Sequence, residues 1–340
     1  MRFLRSPIHM IDRHGFLLSK GMYAAAMGAL LYAVASSVAA QLYPTKPVRV
    51  VVAFAPGGTT DILGRVYAQR LTSATGQQFV IDNRAGAGGT IGTEAVVRSA
   101  PDGYTINFGS TSSLAVSPNL YPNLPYDLMR DVAPVIQVAT ASIMLAVHPS
   151  LPAKTMRDLL ALARARPGQL NYASSGAGSS LHLCAEYLKY LAKIDLVHVP
   201  YKGAGQALPD LIAGQVQMLF SDMAPFGPYV KAGKLRLLAV TTAHRSKLYP
   251  EYPTIAESGV PGYDLAGWYG VVVPSATPRP LIERLHAEYG KVMRSPEMVE
   301  RHATLGVEPV DSTPEQFGAY MRAELAKWGD IIKRSGTKLE

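Results

Sequence analysis

Residues 48–54 (VRVVVAF) form a near-continuous β-branched run that breaks directly into the glycine-rich turn Pro56-Gly57-Gly58-Thr59-Thr60-Asp61. A run that does not alternate apolar with polar residues predicts a strand covered on both faces. A helix is expected over 61–73, a strand over 78–82, a second helix to about residue 100 and a third strand over 104–109. This βαβαβ order predicts a parallel sheet with helices on its faces. Two apolar stretches, 132–139 and 143–147, read as strands that cross between lobes. The pattern then restarts, with a helix at 155–165, a strand at 170–173, a second glycine-serine turn and a helix at 181–192. Further strands are expected at 196–200, 216–220, 235–240 and 267–273, and helices at 206–213 and 278–293. Thr313-Pro314-Glu315-Gln316 has the form of a capping box that opens a last helix, with Phe317, Tyr320, Met321, Trp328 and Ile332 on its buried side. The expected fold class is therefore α/β: two α/β lobes joined by a double crossing, with a ligand cleft between them. Lobe 1 is expected over 41–145 plus 265–340, and lobe 2 over 146–264.

Ahead of this body lies a leader. Residues 21–38 are apolar and rich in small side chains, Lys20 and several arginines precede them, and Val38-Ala39-Ala40 places small residues where a signal peptidase cuts. A signal peptide over 1–40, and hence a periplasmic protein, is expected. No cysteine follows the apolar stretch, so a lipoprotein anchor is not. The leader also distorts the charge. Arg2, Arg5, Arg13 and Lys20 against Asp12 carry three of the eight net positive charges, leaving +5 on the body. Those charges are scattered, which argues against nucleic-acid binding and favours anionic solutes only weakly. Cys184 is the one cysteine, so a disulfide within the chain and a cysteine-based metal centre are both excluded. It sits in an apolar helical stretch and reads as a small core residue.

Chemistry concentrates at strand ends. Pro56, Gly57, Gly58, Thr59, Thr60 and Asp61 lie at the carboxyl end of a buried strand and open a helix, where ligands of open α/β sheets bind. Helix amides and glycines there suit an anion. The P-loop lysine and the full dinucleotide glycine spacing are missing, so a carboxylate fits better than a pyrophosphate. Asp61 either complements the helix dipole or accepts a hydrogen bond from a ligand. Ser174, Ser175, Gly176, Ala177, Gly178 and Ser179, followed by Ser180, form a second nest of the same kind in the other lobe. Two nests facing each other would grip a molecule with a carboxylate at each end. Ser110, Thr111 and Ser112 occupy another strand end, and Tyr201-Lys202-Gly203 a fourth. The loop Asn83-Arg84-Ala85-Gly86-Ala87-Gly88-Gly89 lacks nucleotide-binding spacing. Trp268, Tyr269 and Phe226 could floor an aromatic acid or pack the core and hinge. Ser179 and Ser180 sit beside His182, but no G-x-S-x-G elbow surrounds them. The histidines form no metal-ligating pair. No catalytic residue, metal or cofactor is expected.

Several motifs occur together: Tyr43-Pro44, Lys46-Pro47, Pro56-Gly57-Gly58 with Asp61, Asn83-Arg84 with Gly86-Ala87-Gly88-Gly89, and Pro101-Asp102-Gly103-Tyr104-Thr105. Leu124-Pro125-Tyr126-Asp127, Val199-Pro200-Tyr201-Lys202-Gly203, Leu238-Ala239-Val240-Thr241 and Pro253-Thr254-Ile255-Ala256-Glu257-Ser258-Gly259 follow, ahead of Trp268. In this order they resemble the Bug (TctC-type) family, the extracytoplasmic substrate-binding proteins of tripartite tricarboxylate transporters. The resemblance spans residues 42–336; Ala85 stands where that family commonly has proline. It implies a type II periplasmic-binding-protein clamshell and a carboxylated solute held by the loops at 56–61 and 174–180. It also implies partners in a large and a small permease subunit, with delivery rather than chemistry as the function. A monomer is expected. Alternative roles are a solute sensor for a two-component kinase ectodomain and, further off, an exported hydrolase.

Overall fold

A computed structural model describes residues 43–339, so the expected signal peptide over 1–40 lies outside the described residues. The first sheet is built around β1 (Val48–Val52), which pairs in parallel with β2 (Phe79–Asn83) and β3 (Thr105–Ser110). Helices α1 (Thr59–Thr75) and α2 (Thr90–Val97) make the crossovers. β3 runs into a wide, π-helical turn at Ser112–Val116 and then α3 (Ser117–Leu120); α4 (Leu128–Asp131) leads into β4 (Val132–Ala141). The second sheet contains β5 (Met144–Val147), β6 (Asn171–Ser174), β7 (Val197–Pro200), β8 (Met218–Ser221) and β9 (Arg236–Val240), in the order β7-β6-β8-β5-β9. Its helices are α5 (Met156–Ala165), α6 (Ser180–Ala192), α7 (Ala204–Ile212) and α8 (Met223–Lys231). The chain then returns through β10 (Gly267–Pro274), α9 (Arg279–Met293), α10 (Pro296–Leu305), β11 (Val307–Pro309) and α11 (Pro314–Ser335). The first sheet is completed in the order β11-β4-β10-β3-β1-β2.

The parallel pairing expected of the first βαβαβ unit holds for β1 to β3, but the strands added to that sheet pair antiparallel. β10 runs antiparallel to β3, and β4 antiparallel to β10. The reason is topological: β4 and β10 connect one sheet to the other rather than returning through a crossover helix, so nothing imposes a common direction. Besides the single-turn α3 and α4, two longer helices escaped the sequence. The stretch that forms α8 contains Pro225, Gly227 and Pro228, residue types that ordinarily interrupt a helix. Pro225 falls in the first turn, where its missing N–H would have had no partner. α10 begins with Pro296 at its first position and stops at Gly306, whose φ of 72° is the left-handed C-cap conformation.

α11 carries the anticipated capping box, with Thr313 and Gln316 satisfying each other's backbone N–H. Its buried side holds Phe317, Met321, Trp328 and Ile331; Tyr320 and Ile332, expected there too, are only partly buried. Trp268 Nε1 and Trp328 Nε1 donate to the same Glu324 carboxylate oxygen at 2.9 Å and 3.1 Å, which ties β10 to this helix and satisfies a buried acid. Cys184 is fully buried, and burial pushes its thiol pKa up, as fits an inert core residue.

The two strand crossings are pinned to each other. Thr241, just past β9, donates from Oγ1 to Leu265 O at 2.7 Å and to Ile143 O at 3.1 Å, and Leu265 N–H returns a bond to Thr241 O at 2.9 Å. Thr241 is fully buried, so water cannot replace those bonds. Thr241→Val should therefore cost about 1–3 kcal/mol in denaturant unfolding, because it leaves a buried carbonyl unpaired. Thr241→Ser should retain most of that stability.

Candidate ligand-binding site

The carboxyl end of β1 delivers the chain to Gly58, the N-cap of α1, whose side chain can offer no capping bond. Thr59, Thr60 and Asp61 in that first turn are nonetheless buried. The first amides of a helix have no intrahelical partner, and a buried end without a cap is unusual. Here it faces the space between the two sheets, and the aligned peptide dipoles give it partial positive charge.

Asp61 organises this turn rather than facing a ligand with free lone pairs. Its Oδ2 accepts from Gly57 N–H at 3.0 Å and from Arg65 Nε at 3.0 Å, and its Oδ1 accepts from Asn83 Nδ2 at 2.9 Å. Asn83 Nδ2 also donates to Phe54 O at 2.9 Å, so the loops after β1 and β2 are locked together. Burial disfavours the Asp61 charge, but Arg65, the Gly57 N–H and Asn83 outweigh it and hold the carboxyl below its usual pKa.

The second loop is engaged differently. Ser179 caps α6 by accepting from His182 N–H at 3.2 Å, and Ser174 Oγ accepts from Gly176 N–H at 3.1 Å while contacting His198 Nε2 at 2.7 Å. Gly178 N–H donates to His182 Nδ1 at 3.2 Å. Ser180 N–H donates at 2.8 Å to Ser112 Oγ, which stands at the end of β3 in the other sheet. Much of this loop's hydrogen-bonding capacity therefore goes to its own shape and to contact across the cleft. Other contacts across it are Ala55 N–H to Lys202 O at 3.1 Å, Ser117 Oγ to Gly178 O at 3.1 Å, and Tyr121 Oη to Ala177 O at 3.2 Å.

These contacts draw the lobes together around a cavity of about 40 Å³. Of the loop residues singled out in the sequence, Gly58, Thr59, Thr60, Asp61, Ser110, Thr111, Ser112, Ser175 and Ser180 line it. Gly176, Ala177 and Tyr201 line a wider mouth of about 540 Å³ that shares Phe54 and Ser175 with the inner cavity. Tyr201 turns its hydroxyl to Asp210. Pro56 and Gly57 present backbone to Gly205. Ser174, Gly178 and Ser179 support the second loop from behind. Trp268 and Tyr269 form part of the inner wall, whereas Phe226 packs in the second lobe's core.

Sequence reasoning missed Ser221 and Asp222, which also line the inner cavity. They stand at the carboxyl end of β8, which runs parallel to β6, so the strand-end rule that located the other loops applied to them as well. Asp222 is fully buried and hydrogen-bonded to Tyr269 Oη. Burial raises its pKa, which the Tyr269 hydroxyl partly offsets.

Beneath the second loop, the rings of His182 and His198 stack at 4.0 Å. Burial lowers both pKa values to about 4, and the neighbouring ring adds to this for His198. His302, buried against Tyr67, is lowered to about 4 for the same reason. These depressed values make the folded protein refuse protons that the unfolded chain accepts below about 6.5. The contribution of these three histidines to stability should fall as pH drops from 6.5 towards 4 and level off below, where the depressed carboxyls such as Asp61 take over the decline. His198→Gln should make that slope shallower in pH-dependent thermal melts.

Residues 63–337 match the family described as "Tripartite tricarboxylate transporter family receptor". The chain belongs to that receptor family. Protein BugT of Bordetella pertussis is 36% identical over 308 residues, spanning 90% of this chain and 94% of BugT. A protein of R. palustris solved with adipate shares 38% identity and superposes with a TM-score of 0.84, over 86% of this receptor and 98% of the other chain. The periplasmic binding protein BugD gives 30% identity and 0.84, over 88% of this receptor and all (100%) of BugD. MatC from Rhodopseudomonas palustris, solved with malate, gives 29% and 0.80, over 85% and 100% of the two chains. The receptor thus has the two-lobed clamshell of these binding proteins, and it belongs to a family that binds rather than transforms.

Proposed function

We propose that this receptor captures a small carboxylated solute in the cleft between its lobes and delivers it to the large and small membrane subunits of a tripartite transporter. The observation that carries this reading is the uncapped, buried N-terminus of α1, ringed by the hydroxyls of Thr60, Ser110, Ser112 and Ser175. Backbone amides at such a site suit a carboxylate. Adipate and malate, the ligands of two relatives, are both carboxylates. The hydroxyl-rich second loop closes over the solute from the other side, as two bodies hinge about the crossings at Ile143 and Thr241. The receptor works as a monomer in the periplasm, exported by the leader over 1–40.

The reading is tested by thermal shift of the protein from Gln41 onward against mono-, di- and tricarboxylates. A ligand at a hundred times its Kd should add about 2.7 kcal/mol, or several degrees in melting temperature. Stabilisation by neutral solutes alone, with no response to any organic acid, would contradict it.

A further inference from the structure

Asp222 departs from what its position predicts. It is the N-cap of α8, where aspartate ordinarily accepts a bond from the helix's own amides, yet its side chain makes no such bond. It turns instead into the cleft, where Oδ2 accepts from Tyr269 Oη. Oδ1 is buried, has no hydrogen-bond partner, and stands where a side chain added at Gly267, on the opposite wall, would meet it at 3.2 Å. The Thr59 hydroxyl lies near enough to influence both Asp222 and Tyr269, but it completes a bond with neither, and its Oγ1 is likewise unpartnered. Among the described residues no lysine, arginine or histidine forms an ion pair with Asp222. The titratable groups that interact with it are Tyr269 on β10 and the buried Cys184 on α6, neither of them a cation at neutral pH.

A buried carboxylate oxygen without a partner is costly, and one that faces a cleft for anions is doubly so. Giving up a cap costs a further ~1 kcal/mol. A ligand supplying a hydrogen-bond donor at that spot removes the first penalty. The cleft is then polar in two senses: helix amides at Thr59 and Thr60 on one wall donate, and Asp222 Oδ1 on the other accepts.

On the carboxylate reading above, we propose that Asp222 is a specificity-determining residue that selects carboxylates carrying a hydroxyl or ammonium donor beside the acid group over the same carbon skeletons without one. Thr59 Oγ1 sits where it can share that donor. The site discriminates by leaving Asp222 unpaired when the donor is missing, a strong form of rejection in buried sites.

The experiment is titration calorimetry with matched sets: succinate against malate and aspartate, and adipate against 2-hydroxyadipate and 2-aminoadipate. Wild type should prefer at least one donor-bearing member of a set by about tenfold or more, and the two arms separate hydroxyl from ammonium as the donor. In Asp222→Asn, an isosteric change that also relieves a buried charge, the preference should shrink to within a few-fold while the donor-free acid binds at least as well. Tyr269→Phe should leave the direction of the preference unchanged. Equal affinity across each set in wild type, or a preference that survives in Asp222→Asn, overturns the proposal while the carboxylate reading stands. If no carboxylate in either set or in the wider panel binds, both fall together.

Discussion

Replacing Gly205 with alanine should weaken solute binding by at least about tenfold while the unliganded protein stays folded. Gly205 lies in the first turn of α7, and a Cβ there would sit 2.3 Å from Pro56 O and 2.8 Å from Gly57 C. Those are backbone atoms of the α1 loop, so no side-chain rotation relieves the overlap. The contact exists only with the lobes together. When they part, alanine is the better residue in a helix, by up to about 1 kcal/mol over glycine. The substitution therefore opposes closure and spares the fold, and tenfold corresponds to about 1.4 kcal/mol against the closed form. Calorimetry with the best acid from the panel, beside melting of the unliganded protein, separates the two. A lowered melting temperature with unchanged affinity would show that Gly205 serves packing and not closure.

Asp61→Ala should reduce both stability, by roughly 2–3 kcal/mol, and affinity, by about ten- to a hundredfold. Its two oxygens hold Gly57 N–H, Arg65 and Asn83, and Asn83 carries the bond on to Phe54 O. Removing the carboxylate takes away the partner of the Gly57 amide and frees a loop whose Gly57 is held at φ 89°. The α1 amides then lose their fixed orientation, although Asp61 itself need not touch the solute. Arg65→Met is the control: Arg65 is about half exposed, so its loss should cost well under 1 kcal/mol. Equal effects of the two substitutions would locate the importance of Asp61 in its ion pair instead of in the loop.

Much of the fold was legible because each signal was local. The β-branched run at β1, the capping box at Thr313 and the apolar stretches that became β4 and β5 each state their structure within a few residues. The direction of β10 was not legible, since it depends on where a distant strand arrives. Nor was α8, where Pro225 is tolerated because it falls in the first turn but Pro228 lies inside the helix. The α1 loop could be read as a site from glycines at a strand end. The different use of the second loop could not, because it depends on Ser112 reaching Ser180 across 68 residues of sequence. Asp222 was missed because the helix it opens was itself not legible, and its turn into the cleft depends on Tyr269, which a distant strand delivers.

Amide chemical shifts test most directly whether the open end of α1 holds the solute. In a ¹⁵N-labelled sample titrated with a carboxylate that raises the melting temperature, Thr59, Thr60 and Asp61 N–H should show the largest downfield displacements. Smaller changes are expected at Ser175, Ser180 and the hinge around Thr241. Saturable binding that leaves the three α1 amides unmoved would contradict the assignment of this helix terminus as the carboxylate site.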